Sequence, residues 1–248
     1  MIADAGARSG RHGAGSAVRG IRAVLIDLDG TLADTVPDIA PAVNAMLADF
    51  GRAPLDEATI ARYVGRGADV LLQRALGGGS DGRVEAGMLE RARPLYHSAY
   101  ARFNGRAATL YPGVVEGLAG LRALGLALAC VTNKPAADAR TLLAGFDLAR
   151  FFGVVVGGDT LPTRKPAVEP LAHAAERLGV PLAACLMLGD SAIDAQAARA
   201  AGIPVVLVDH GYREGLPVEA IDCDAVVAGI TEVARRLAPD AADRFPFA

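Results

Sequence analysis

The residues best suited to chemistry lie at four places in the chain, the first being Asp27-Leu28-Asp29-Gly30-Thr31. Two carboxylates two residues apart follow an apolar run, and the glycine after them permits a sharp turn. One carboxylate can attack while the other moves a proton. The plainer alternative is an ordinary strand-to-turn junction in which Asp29 and Gly30 only shape the turn. At Val131-Thr132-Asn133-Lys134-Pro135 a hydroxyl, an amide and free backbone N–H groups stand just ahead of a helical stretch. That is either a phosphate cradle or simple N-capping by Thr132 or Asn133. Lys165-Pro166 follows Gly157-Gly158-Asp159, and taken alone it is a solvated loop charge. Gly189-Asp190-Ser191 with Asp194 puts two carboxylates in one turn, an arrangement that suits a hard cation with oxygen ligands. Magnesium fits better than zinc, because His12, His97, His173 and His210 are scattered and no Cys and His spacing of a zinc site occurs. Gly77, Gly79 and Gly82 formally match a dinucleotide fingerprint, but they follow a helical pattern, which excludes that function. Phosphate monoester hydrolysis needs a nucleophile, a leaving-group acid and neutralisation of phosphoryl charge, and the four places together supply all three.

The elements that must position these groups alternate. Ile21 to Ile26 is a buried strand ending in Asp27, and LALACVT from Leu126, VVVGGD from Val154, CLMLGD from Cys185 and PVVLVD from Pro204 share its character. Helical periodicity covers 114–124, 135–146, 169–178 and 193–201. Alternation of this kind predicts an α/β fold, a doubly wound parallel sheet of Rossmann-like topology, with its site beyond the carboxyl ends of the strands. The interval 34–108 breaks the alternation and reads as an inserted all-helical cap domain, with helices over 40–50, 55–64, 68–76 and 84–103. Thr35, Pro37 and Asp38 form a capping signal for its first helix. The catalytic core is expected at 21–33 and 109–248, behind a disordered tail at 1–20.

A net charge of −3 offers no electrostatic footprint for nucleic acid or an anionic membrane, so a small phosphorylated metabolite is the expected partner. The first twenty residues lack an apolar stretch fit for a signal peptide, and Leu118 to Val131 is too short to span a bilayer. Cys130, Cys185 and Cys223 read as thiols of a reducing compartment. A soluble cytoplasmic protein, monomer or homodimer, is the expectation.

In order and spacing, DLDGT, VTNKP, KP and GDSxxD resemble the haloacid dehalogenase superfamily across Ile21 to about Val227. The resemblance implies that Asp27 forms an aspartyl-phosphate, Asp29 serves as general acid and then base, Thr132 and Asn133 hold phosphoryl oxygens, and Lys165 steadies the charge. It also implies a magnesium site drawn from Asp27, Asp29, Asp190 and Asp194, in which Asp190 binds the ion and Asp194 supports it. Dehalogenases of the superfamily lack the second carboxylate, and its transport ATPases place lysine directly after the nucleophile; here Asp29 is present and Leu28 follows Asp27. DLDGTLADT, VGRGADVLLQRAL, GGDTLPTRKP and GDSAIDAQAARAAGIPVVLVDHGY are most similar to the bacterial phosphoglycolate phosphatase family. That likeness implies hydrolysis of 2-phosphoglycolate, while a hexose-phosphate mutase or another small-metabolite phosphatase of the same fold would share the catalytic residues. The expected substrate contacts are Thr31, Asn133 and the loop Gly65-Arg66-Gly67, with Arg66 meeting the substrate carboxylate. Arg66 stands where the family pattern has asparagine, and Ala167-Val168-Glu169-Pro170 departs from the usual stretch after KP.

Overall fold

Strand β1 (Ala23–Ile26) is apolar at every position because both its faces are covered. In the computed structural model, which describes residues 20–79 and 82–247, Val24 and Ile26 point into one hydrophobic cluster and Ala23 and Leu25 into another, the period-two alternation of a pleated strand. After β1 come β2 (Ala33–Asp34), four helices α1 (Val36–Asp49), α2 (Glu57–Ala61), α3 (Ala68–Gly77) and α4 (Met88–Phe103), and then β3 (Thr109–Leu110). The chain continues through α5 (Val114–Ala123), β4 (Ala127–Val131), α6 (Ala136–Gly145), β5 (Val154–Val156), α7 (Glu169–Leu178), β6 (Cys185–Gly189) and α8 (Ala192–Ala201). It ends with β7 (Val205–Val208), β8 (Ala225–Val227) and α9 (Ile230–Leu237).

Six strands form one parallel sheet in the order β5-β4-β1-β6-β7-β8. Helices α5, α6 and α9 supply apolar side chains to one face, and α7 and α8 to the other, which is the doubly wound arrangement. The strand order reverses beside β1, so the crevice at its carboxyl end is the natural binding place. Ile26 is in register with Cys130 on β4 and with Leu188 on β6. Asp27 follows directly on β1, and Thr132 and Asp190 lie two residues beyond the partners on either side.

The four helices between β2 and β3 share a hydrophobic cluster of their own, built on Ile39, Met46, Leu72 and Tyr100 among others. β2 and β3 pair antiparallel and carry the chain out of the sheet and back. The first helix starts at Val36, earlier than its periodicity suggests, since Pro37 in the first turn needs no N–H. The capping expectation for Thr35 and Asp38 is corrected: Thr35 holds the cap position without a side-chain bond. Asp38 instead accepts from the N–H groups of Gly105, Ala107 and Ala108 at 2.7, 2.7 and 3.1 Å, fastening the returning chain. Helix α2 is shorter than expected because Asp56 caps it through the Thr59 N–H at 2.6 Å, and α4 begins only after Gly87. The expected tail at 1–20 falls, but for Gly20, outside the described residues. No helix among the described residues is long and apolar enough to cross a membrane.

Candidate active site

The loop after β1 turns back at Gly30, whose φ of +86° places it in the left-handed region. A Cβ there would stand 2.5 Å from Asp190 Oδ2, so glycine is required both for the turn and for the approach of the β6 loop. This turn brings Asp27 and Asp190 together. Asp194, in the first turn of α8, accepts at Oδ2 from the Ser191 hydroxyl at 2.8 Å and from the N–H groups of Ser191 and Asp190 at 3.2 and 3.3 Å. Asp27, Asp190 and Asp194 are all buried, and one carboxylate oxygen from each lies within 4.8 Å of the others.

Lys165 reaches this cluster from the loop after β5. Its Nζ donates to Asp27 Oδ1 at 2.9 Å and to Asp194 Oδ1 at 2.7 Å, and its side chain is 1% exposed. Burial lowers the ammonium pKa, but the two carboxylates outweigh it and hold Lys165 charged, above its ordinary value. Asp27 Oδ1 also accepts from the Leu28 N–H at 2.8 Å, whereas its Oδ2 takes no protein hydrogen bond among the described residues. Burial pushes the Asp27 carboxyl up to about 7, with Lys165 opposing and Asp194 and Asp29 adding to the rise. Asp190 is pushed well above the usual carboxylate range by burial, then by Asp194 and Asp27. Carboxylates forced upward together are a site short of positive charge.

Asp29 does not join the cluster. Its two oxygens accept from Lys134 Nζ at 2.8 and 3.1 Å, so the expectation that its carboxylate ligates the metal is corrected: an ammonium already satisfies it. Lys134 is itself buried and lies under the Tyr100 ring of α4, 4.9 Å from the ring centroid. Four carboxylates thus face two ammonium groups, a formal excess of two negative charges. A divalent cation with oxygen ligands fits that excess: Asp27 Oδ2 is unbonded among the described residues, Asp190 is held only by neutral donors, from Thr31 at Oδ1 and Tyr212 at Oδ2, and Asp194 already serves Lys165 and Ser191.

The remaining expected contacts sort themselves by partner. Thr31 donates its hydroxyl to Asp190 Oδ1 at 2.7 Å and so orients a carboxylate; it does not line the pocket. Thr132 and Asn133 do line the pocket. Asn133 Nδ2, however, donates to the carbonyls of Gly65 and Lys165 at 2.9 Å each, joining the helical segment to the Lys165 loop. Gly65 and Gly67 line the pocket at φ values of +120° and +88°, while Arg66 between them turns away. Its Nε and Nη2 donate to Glu214 Oε1 and Oε2 at 2.8 and 2.9 Å, and Arg74 adds a bond of 2.6 Å to the same carboxylate. The expected meeting of Arg66 with a substrate carboxylate is therefore corrected in this structure, because a closer partner occupies its guanidinium.

Sequence reading passed over Lys134, Tyr212 and Glu214. Tyr212 donates its N–H to Asp190 Oδ2 at 2.6 Å, and its hydroxyl accepts from the N–H groups of Thr35 and Val36 and donates to Asp34. One available signal was composition: of the 25 lysines and arginines, only Lys134 and Lys165 are lysine. Both are buried at this site.

A family model for haloacid dehalogenase-like hydrolases matches residues 21–202. The chain belongs to the haloacid dehalogenase-like hydrolase family. Among its relatives, the phosphoglycolate phosphatase of Nitrosospira multiformis is 48% identical over 215 residues, 87% of this chain and 95% of that protein. The phosphoglycolate phosphatase of Thiobacillus denitrificans is 44% identical over 86% of this chain and 94% of its own length. A crystal structure from Haemophilus somnus, described as a predicted phosphoglycolate phosphatase, superposes with a TM-score of 0.80 at 30% identity, covering 86% of this chain and 96% of that one. Hydrolases of this family therefore share both the core sheet and the helical segment with this chain.

Proposed function

We propose that this hydrolase is a magnesium-dependent phosphatase that cleaves 2-phosphoglycolate to glycolate and phosphate through an aspartyl-phosphate on Asp27. The observation that carries the reading is the convergence of Asp27, Asp190 and Asp194 with Lys165 bridging two of them. The substrate comes from the relatives, which carry the name phosphoglycolate phosphatase over nearly their whole lengths. Asp27 is the nucleophile: one oxygen is pinned by Leu28 and Lys165 while the other has no protein partner among the described residues. Asp29 gives a proton to the leaving oxygen and takes one from the water that then hydrolyses the acyl-phosphate. Thr132 and the N–H groups ahead of α6 cradle the phosphoryl oxygens, and Lys165 offsets their charge. Asp27 and Asp190 would hold magnesium, with Asp194 and Thr31 orienting them, and the ion would supply charge neutralisation for the phosphoryl group.

The division into a core at 21–33 and 109–248 and a helical cap at 34–108 belongs to the same reading, with the cap excluding water from the acyl-phosphate. Its support is the separate hydrophobic cluster of α1 to α4 and the contribution of Gly65, Gly67, Tyr96 and Tyr100 to the pocket wall. A cytoplasmic location follows from the same reading and is supported by three free cysteines. The test is phosphate release from a panel of phosphate esters, with magnesium and with a chelator. We expect 2-phosphoglycolate to give the highest kcat/KM and the chelator to abolish release. Equal rates across the panel would remove the substrate assignment, and chelator-resistant release would remove the metal.

A further inference from the structure

With Arg66 engaged elsewhere, the pocket holds one cationic side chain in its wall among the described residues, and it is Lys134. Lys165 lies deeper, on Asp27 and Asp194, where the phosphoryl group belongs. Arg164 stands near Gly67 but is exposed and does not line the pocket. Lys134 Nζ has three donors, of which Asp29 occupies two. The third has no carboxylate or carbonyl partner among the described residues, and Tyr100 and Tyr96 complete the wall around it.

We propose that Lys134 is the specificity residue of this site, its third N–H donor binding the carboxylate of 2-phosphoglycolate. The inference rests on the substrate reading given above. Its geometry follows from Asp29, which must touch the ester oxygen in order to protonate it. In 2-phosphoglycolate the carboxylate is joined to that oxygen through a single methylene. A cation 2.8 Å from the proton donor is therefore beside the place where the carboxylate must lie. Without it, the added negative charge would face Asp27, Asp29 and Asp138 across a wall that is otherwise apolar or neutral. Composition points the same way. Twenty-three of the 25 basic residues are arginine, and the two lysines, Lys134 and Lys165, are both buried at this site, where a compact point charge suits close anions.

The test compares kcat/KM for 2-phosphoglycolate and for 2-hydroxyethyl phosphate, which has the same length and an alkoxide leaving group but no carboxylate. Wild-type enzyme with saturating magnesium should prefer 2-phosphoglycolate. In Lys134→Gln the ratio between the two should fall by about tenfold or more, the worth of a buried charge-assisted hydrogen bond. In Arg66→Ala the ratio should stay unchanged. If Lys134 only positions Asp29, Lys134→Gln slows both esters equally, and that result overturns the proposal; so does a collapse of the ratio in Arg66→Ala. Absence of any preference in the wild type would instead sink the substrate reading, which keeps the two failures apart. A second readout needs no Lys134 variant: protein carrying 15N-labelled lysine gives only two side-chain signals. In the inactive Asp27→Asn protein the Lys134 signal should move with 2-phosphoglycolate and not with 2-hydroxyethyl phosphate, while Lys165 moves with both. A Lys134 signal blind to 2-phosphoglycolate, with Lys165 responding, would overturn the assignment.

Discussion

Lys134 and Lys165 divide the charge of the site between them. Lys165 serves Asp27 and Asp194, Lys134 serves Asp29, and the two carboxylates of the first loop thereby sit in different surroundings although they are two residues apart. Separation of this kind suits the proposed roles, because a nucleophile and a proton carrier need different partners. Asp29→Asn should lower kcat on 2-phosphoglycolate by ~100 to 10,000-fold, the usual worth of general acid-base catalysis, and by much less on p-nitrophenyl phosphate. Phosphate release from both esters measures it, and an equal loss on both would remove Asp29 as leaving-group acid. Of these residues, Asp27, Asp29, Lys165, Asp190 and Asp194 could be found from motif spacing alone. Lys134 could not, because its ion pair with Asp29 spans 105 residues of sequence and a lysine before a helix is usually solvated. Arg66 misled for the converse reason: glycines on both sides suggested close approach to a ligand, and its partner Glu214 lies 148 residues away.

At the scale of elements, the helical segment is fastened to the core at several points that bear on the site. Asn133 bonds Gly65, Arg66 and Arg74 bond Glu214, and the Tyr212 hydroxyl holds the start of α1 while its N–H orients Asp190. Partial burial raises the Glu214 carboxyl, and the hydrogen bonds from Arg66 and Arg74 outweigh that, so it titrates below the ordinary glutamate value of 4.5. A depressed value means that the tie contributes stability above the unfolded-state pKa and loses it as pH falls through the folded-state one. Glu214→Gln should therefore cost about 1 kcal/mol near neutral pH, and the gap in Tm should begin to shrink as pH falls below 4.5 and close once the folded-state carboxyl is protonated. Thermal melts of both proteins across that range measure it; a gap that widens in acid would contradict the tie. The long buried strands could be read from their apolar runs, as expected where both faces are covered. β2 and β3 could not, since two residues carry no periodicity, and β8 was hidden because Ala225 and Val226 are only partly covered.

For the whole molecule, the excess of buried negative charge couples metal binding to stability. If magnesium binds the folded chain as proposed, with no comparable site in the unfolded one, an ion concentration of about 100 times Kd should add about 2.7 kcal/mol. Asp190→Asn should lose most of that gain, and in the absence of metal it should melt no lower than the wild type, because it relieves repulsion with Asp27 and Asp194. Melting curves with magnesium and with chelator check both halves, and a full magnesium shift in Asp190→Asn would take Asp190 out of the metal site. Topology on this scale followed from the alternation of strands and helices, and the place of the site from the sheet's switch point beside β1. The proposed chemistry depends first on Asp27 as nucleophile. An amide has nearly the same shape as the carboxylate but is a poor nucleophile, so Asp27→Asn should fold with a Tm at or above that of the wild type and release no phosphate from 2-phosphoglycolate in saturating magnesium. Steady-state release by folded Asp27→Asn protein at a rate near that of the wild type would contradict it.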